Sequence, residues 1–368
     1  MGSLGYEHRI HEQILPAVQR SKRKVVWTDA YVIHSGYDNS PEGQKKKRER
    51  DEYMLMLDLQ DTPDDPFKLF NLGMSYHYWG EHETAIDWFK KALANSKPHH
   101  SQVGPVYSLW ASSLYKLEKK AEALGKAKEG VVAVPGYPEL HYKVAQWCLE
   151  IGNFNEAKNN LKKCVGADVM GMYTSMDRGI LSFRSMHLLG RAELGLKHYD
   201  LAREWFLKSL EAEPGYPFPV LDLYDAAVSA KDFPTANAML ERVRASEGFS
   251  MTWARMMSQQ QDAIMGPGGG LEFLRSFLER NPEAHGRGLV FAMQLIDAER
   301  PNDAVPHLCH LDELGIAPAA FHMGKLCMAL GDFGGALSWM QRADQLEPGN
   351  PETMEMIEKL RKAAAAGV

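Results

Sequence analysis

His307, Cys309, His310 and Asp312 crowd six residues of one apolar-periodic stretch, and metal chemistry is the first use such side chains suggest. Two imidazoles at i and i+3 lie on one helix face and could share a zinc ion. A structural zinc site wants four ligands, however, and no second pair accompanies these, so the cluster reads as a satisfied surface set. His99 and His100, adjacent in a loop-like stretch, receive the same reading. The glycine-rich run from Gly266 to Gly270 could cradle a phosphate, but no Gly-Lys-Ser/Thr follows it. It reads as a flexible turn between two helices. No Gly-x-Ser-x-Gly or other nucleophile signature occurs. Cys148, Cys164, Cys309 and Cys327 form no Cys-x-x-Cys pair, and each sits in an apolar helical pattern. They read as core thiols of a reducing, cytoplasmic compartment.

Composition closes off other classes. A formal net charge of −6 runs against general nucleic-acid binding, which carries a basic excess. The basic run KKKRER at 45–50 is followed at once by Asp51 and Glu52 and reads as a solvated helix face. Its alternative use is an electrostatic patch for an acidic partner. No stretch approaches the roughly 18 consecutive apolar residues of a membrane span. With 368 residues, 45% of them apolar, the chain can bury more core than one ordinary domain needs.

What positions these side chains is a repeat. Small residues recur at Ala85, Ala123, Ala157, Ala202, Ala236, Gly270, Ala304 and Ala336, at spacings of 38, 34, 45, 34, 34, 34 and 32. Prolines that close a second helix follow at Pro98, Pro135, Pro214, Pro282 and Pro348. A large residue on one helix interlocks with a small one on the next, as Leu189 and Gly190 would with Ala202. One hairpin cannot bury both its faces, so neighbours must stack. Leu69, Leu72, Gly73, Tyr76, Ala85, Phe89, Ala92 and Pro98 follow the order and spacing of the tetratricopeptide signature, and the chain resembles that family. The resemblance covers about residues 66 to 350. It implies an all-α fold, a right-handed superhelix of about eight helical hairpins, with residues 351–368 as a capping helix. One departure is the spacing of 45, whose extra residues fall in 165–180. They read as an added helical turn, with a partner-contacting loop as the alternative.

Residues 1–65 lack the repeat. Residues 9–19 read as a short amphipathic helix, 24–27 and 30–34 as two strands, and the stretch from Ser40 as a charged helix that ends at Pro63 and packs on the first repeat. The Arg-Ile-His-Glu run (Arg9 to Glu12), the residues Ile33, His34, Gly36 and Tyr37, the Lys/Arg-rich helix and the Pro-Asp-Asp-Pro run (Pro63 to Pro66) share an order. That order resembles the junction in bacterial family 2 glycosyltransferases that carry tetratricopeptide repeats downstream. The resemblance implies that 1–65 is a small α/β remnant, the tail of a nucleotide-sugar-binding domain with its linking helix. It also implies that His11, Glu12 and His34 line the acceptor or metal side of the catalytic site. Imidazole suits a divalent ion and a carboxylate suits general-base work. The family's Asp-x-Asp motif does not occur in this chain. The chain is therefore expected to be catalytically incomplete and to hold no cofactor itself. A nucleotide sugar and a divalent metal would enter only with a catalytic domain upstream.

In tetratricopeptide proteins the first helix of each repeat lines the concave face, mainly through its second, fifth, ninth and twelfth positions. The resemblance places Phe67, Phe70, Met74 and His77 there from the first repeat, and Ser108, Ser112 and Tyr115 from the second. Arg184, His187 and Arg191 come from the fourth, and Arg255, Gln259 and Asp262 from the sixth. The Lys/Asn clamp with which some relatives hold chaperone C-termini is not reproduced. An aromatic and methionine-rich entrance leading to arginines suits an extended peptide, acidic or aromatic, or a glycan-bearing segment, with self-association as the other use. Neither nucleic acid nor membrane is an expected partner. Two functions stay open: the partner-binding region of a glycosyltransferase, positioning an acceptor or joining subunits, or a free-standing cytosolic scaffold with no enzymatic role.

Overall fold

The computed structural model describes residues 18, 20–21, 40–169, 176–247, 250–281 and 284–365. His11, Glu12 and His34, the two strands read at 24–34 and most of the helix read at 9–19 lie outside the described residues. Within them the regular structure is all helical: 18 α-helices and one 3-10 turn, with no strand among the described residues. The chain forms two compact units, residues 1–216 and 217–368.

In the first unit α1 (Pro41–Asp61) leads into four hairpins. They are α2 (Pro66–Tyr78) with α3 (His82–Ala94), α4 (Val103–Lys116) with α5 (Lys120–Ala133), α6 (Pro138–Glu150) with α7 (Phe154–Cys164), and α8 (Phe183–Gly195) with α9 (Tyr199–Ala212). The second unit has four more: α10 (Phe218–Ser229) with α11 (Phe233–Glu247), α12 (Met251–Met265) with α13 (Gly269–Arg280), α14 (His285–Asp297) with α15 (Pro301–Glu313), and α16 (Ala317–Ala329) with α17 (Phe333–Leu346). It ends in α18 (Pro351–Ala365).

Local chemistry starts and stops these helices where the repeat requires. Asp65 accepts the Phe67 and Lys68 N–H groups at 2.9 and 3.2 Å, and Pro66 takes the first helical position, where no donor is needed. Each first helix ends in a residue that must reverse the chain. Gly80, Gly152 and Gly331 do so with φ of 76–81°, but Glu118, Lys197, Lys231 and Glu299 adopt φ of 58–62° at the same place. An L side chain is strained there, so the hairpin geometry, not the residue type, imposes the conformation. At the crossings Ala85, Ala202 and Ala336 are fully buried, and Gly73, Gly190 and Gly324 lie against Phe89, Phe206 and Met340. Contact this close is open only to a glycine.

The cores follow. Leu55 and Leu59 of α1 join Leu69, Leu72 and Phe89, so the charged helix packs on the first hairpin as its sequence suggests. A second cluster runs from Ile86 through Leu140 and Leu161 to Leu189. In the other unit Ala336 and Met340 meet Ile357 and Leu360 of α18, which covers the last hairpin. The outer face of α18 carries Glu355–Lys359 and Glu358–Lys362 pairs at 2.6 Å.

Two sequence readings change. The Gly266–Gly270 turn is tied rather than flexible: Asp262 accepts the Gly268 and Gly270 N–H groups at 2.9 Å, and Gly266 and Gly268 both take φ of 93°. Asp262 thus serves the turn. Of the four thiols, Cys148 and Cys164 are buried, whereas Cys309 of α15 and Cys327 of α16 are only partly so.

Candidate partner-binding face

In the first unit the first helices of consecutive hairpins contact one another: α2 with α4, α4 with α6, and α6 with α8. No comparable contact joins their second helices among the described residues. The first helices therefore form the crowded inner side of the stack. Side chains at their inner positions are laced laterally. His77 Nδ1 lies 2.8 Å from Ser113 Oγ. Ser108 Oγ donates to Glu139 at 2.6 Å, and Lys143 Nζ reaches Ser112 Oγ at 2.9 Å and Glu139 at 3.5 Å. Tyr115 stacks on Trp147 with ring centroids 5.1 Å apart and donates to Glu150 at 2.9 Å.

The predicted inner residues divide into two groups. Phe70 and His187 are packed inside, 8% and 4% exposed: Phe70 belongs to the core cluster that α1 and the first hairpin share, and His187 lies against the second helix of its own hairpin. His187 packs on Phe206 and edge-on against Tyr216. Phe67, Met74, His77, Ser112 and Tyr115 are half-buried, and Arg184 and Arg191 are exposed. Arg184 Nε pairs with Asp177 at 3.1 Å. Tyr142, beneath this pair, has its phenol pushed up to about 12 by burial, with Tyr216 and Asp177 adding to the effect. Burial also lowers His77 to about 4, helped by His82, Lys143 and Lys116, so the imidazole is neutral near pH 7.

Arg255 and Gln259 belong to the second unit, where first helices again touch in sequence, α10 with α12, α12 with α14, and α14 with α16. Both are exposed, and Gln259 donates to Asp225 at 3.1 Å. Burial raises the Asp225 carboxyl, while Gln259 and Arg255 oppose that shift.

Sequence reasoning missed Tyr78, 72% exposed at the end of α2, and Glu139 and Lys143 of the third repeat. The same register, run through α6, would have found Glu139. Nothing in the period could have found Asp177, which lies in the non-repeating segment. The 307–312 cluster carries no metal geometry: His307 lies edge-on to Phe291 at 5.0 Å, and Asp312 pairs with Arg342 at 3.1 Å. Among the described residues no three His, Cys, Asp or Glu side chains converge.

Hairpins of this length, with glycine or alanine at each crossing and inner faces built from first helices, define a helical-repeat protein of the protein-interaction type. The tetratricopeptide-repeat family model matches residues 69–98 and 183–216, within the first and fourth hairpins. Among solved structures, MamA from Desulfovibrio magneticus RS-1 is 18% identical, covering 50% of this chain and 98% of its own, with a TM-score of 0.42. YrrB, described as a TPR protein with an unusual peptide-binding site, is 14% identical over 55% of this chain and 96% of its own, with a TM-score of 0.45. PilF of Pseudomonas aeruginosa is 17% identical over 64% and 97%, with a TM-score of 0.44. Likeness at this level carries no functional argument. Among curated proteins nothing matches. No helix among the described residues is long and apolar enough to cross a membrane.

Proposed function

We propose that the chain is a protein- or peptide-binding repeat region that takes an extended segment on the inner face of its first unit. The observation that carries the reading is the set of half-buried and exposed side chains left there: Met74, Tyr78, Tyr115, Lys143, Arg184 and Arg191. These combine apolar area with cationic groups, and arginine meets carboxylates bidentately. Panning a random peptide library on the 368-residue chain tests it. Acidic or aromatic sequences should be enriched, and should be weakened by salt and by Tyr115→Ala or Arg184→Ala with Arg191→Ala. If the substitutions leave every recovered peptide bound unchanged, the face is not the site.

The setting we favour is a family 2 glycosyltransferase of the cytoplasm, in which the repeats position an acceptor or join subunits. Supporting it is α1, whose Leu55 and Leu59 are built into the first hairpin, so that the Pro-Asp-Asp-Pro run sits in a rigid lead-in. His11, Glu12 and His34 would then belong to the catalytic side. The chain alone should bind uridine-diphosphate sugars with manganese no better than millimolar; a micromolar constant by calorimetry would overturn that expectation. A gene with no nucleotide-binding sequence before Tyr6 would favour the free-standing scaffold instead.

A further inference from the structure

We infer that residues 176–182 form a built-in strap on the inner face of the first unit, seating the Asp177 carboxylate on Arg184 where an acidic peptide would place its own. The inference rests on the binding face proposed above and names the chemistry of its ligand.

The segment is foreign to the repeat, since it stretches the spacing of small residues from 34 to 45. Its end is tied to the close of the third hairpin, where the Gly166 N–H donates to the Leu181 carbonyl at 2.9 Å. Its arm, the 3-10 turn Arg178–Leu181, packs on α6 and α8, two of the inner helices. Three contacts hold it there. Ile180 is buried in the core, Gly179 lies under the Phe183 ring, and Ser185 Oγ donates to the Ile180 carbonyl at 2.5 Å. The arm is therefore a fixed part of the inner wall.

Asp177 caps this turn with one oxygen and faces the site with the other. Oδ1 accepts the Gly179 N–H at 2.9 Å, while Oδ2 stands 3.1 Å from Arg184 Nε. Both side chains remain 44% exposed, so the pair is open to solvent and to exchange. Exposed pairs of this kind are weak. A ligand with several carboxylates can displace Asp177, because it gains further contacts that a single tethered carboxylate lacks. The strap thus shows what the arginine takes, and competes for it.

Anisotropy of a fluorescein-labelled oligoglutamate at low ionic strength tests this on the whole chain. Asp177→Asn keeps an acceptor for the Gly179 N–H but removes the charge. It should tighten binding about two- to five-fold, the range an exposed pair commands. Arg184→Ala should weaken binding, and in that background Asp177→Asn should add nothing. An equal gain in both backgrounds would mean only a change of net charge and would overturn the strap. So would unchanged affinity in Asp177→Asn, or no oligoglutamate binding by either wild type or Asp177→Asn. Peptides from the library that are lost on Tyr115→Ala, yet indifferent to Asp177→Asn, sink the strap and keep the face.

Discussion

One substitution, glycine to alanine, should act in opposite directions at two helical positions of the first unit. Gly190 in α8 faces the fully buried Phe206, and a Cβ there would stand 2.5 Å from Phe206 Cδ1. A ring with no exposed edge cannot swing away, so α8 and α9 must separate. Overpacking of this kind costs about 1–3 kcal/mol. Alanine recovers about 1 kcal/mol of helix propensity, which leaves Gly190→Ala less stable by up to about 2 kcal/mol. Gly125, inside α5, has nothing within 4 Å of the same added atom. Only the propensity acts there, and Gly125→Ala should gain about 1 kcal/mol. Both residues lie in the first unit, so the same unfolding transition reports both. Urea melts followed by far-ultraviolet circular dichroism give the shift in midpoint, valid where the slope is unchanged. Gly73→Ala, aimed at Phe89 from 2.7 Å, is an internal repeat of the first case. A Gly190→Ala midpoint at or above wild type would refute the crossing argument.

Acid should weaken the first unit through His77, which titrates near 4 in the fold against 6.5 in the unfolded chain. Between those values the unfolded state binds the extra proton, so stability is intact above pH 6.5 and falls as the pH drops toward 4. Full burial would make this about 3 kcal/mol, and partial exposure reduces it to about 1–2. His77→Gln should flatten that limb of the pH–stability curve, and an identical curve would contradict the assignment. Glu193, 3% exposed between Lys158 at 3.3 Å and His198 at 2.8 Å, links the third and fourth hairpins. Glu193→Ala should cost about 2–3 kcal/mol by leaving Lys158 without its buried partner; a loss below the error of the melt would count against it. Burial pushes the Cys148 and Cys164 thiols up to about 11 and 12. Iodoacetamide on the native chain should label Cys309 and Cys327 first by mass spectrometry, and early labelling of Cys164 would show an open core.

The hairpins were legible in the sequence because a tetratricopeptide unit is a local object. Its large and small crossing residues lie within one period, and each hairpin rests on the next. Thus Gly190 and Ala202, or Ala336 and Phe333, could be aligned by counting. The capping helix was readable for the same reason, since only one of its faces repeats apolar residues such as Ile357 and Leu360. Whether an inner side chain is open was not readable. Phe70 and Phe67 share a helix and an inner register, yet Phe70 is buried and Phe67 half-buried, because burial depends on the elements packed around the helix. The tied turn at Gly268 likewise depends on Asp262 folding back across six residues. Asp177 on Arg184 was beyond reach altogether. The period carries no register through residues 165–180, and only the packing of the 3-10 turn on α6 and α8 brings that carboxylate to the inner face.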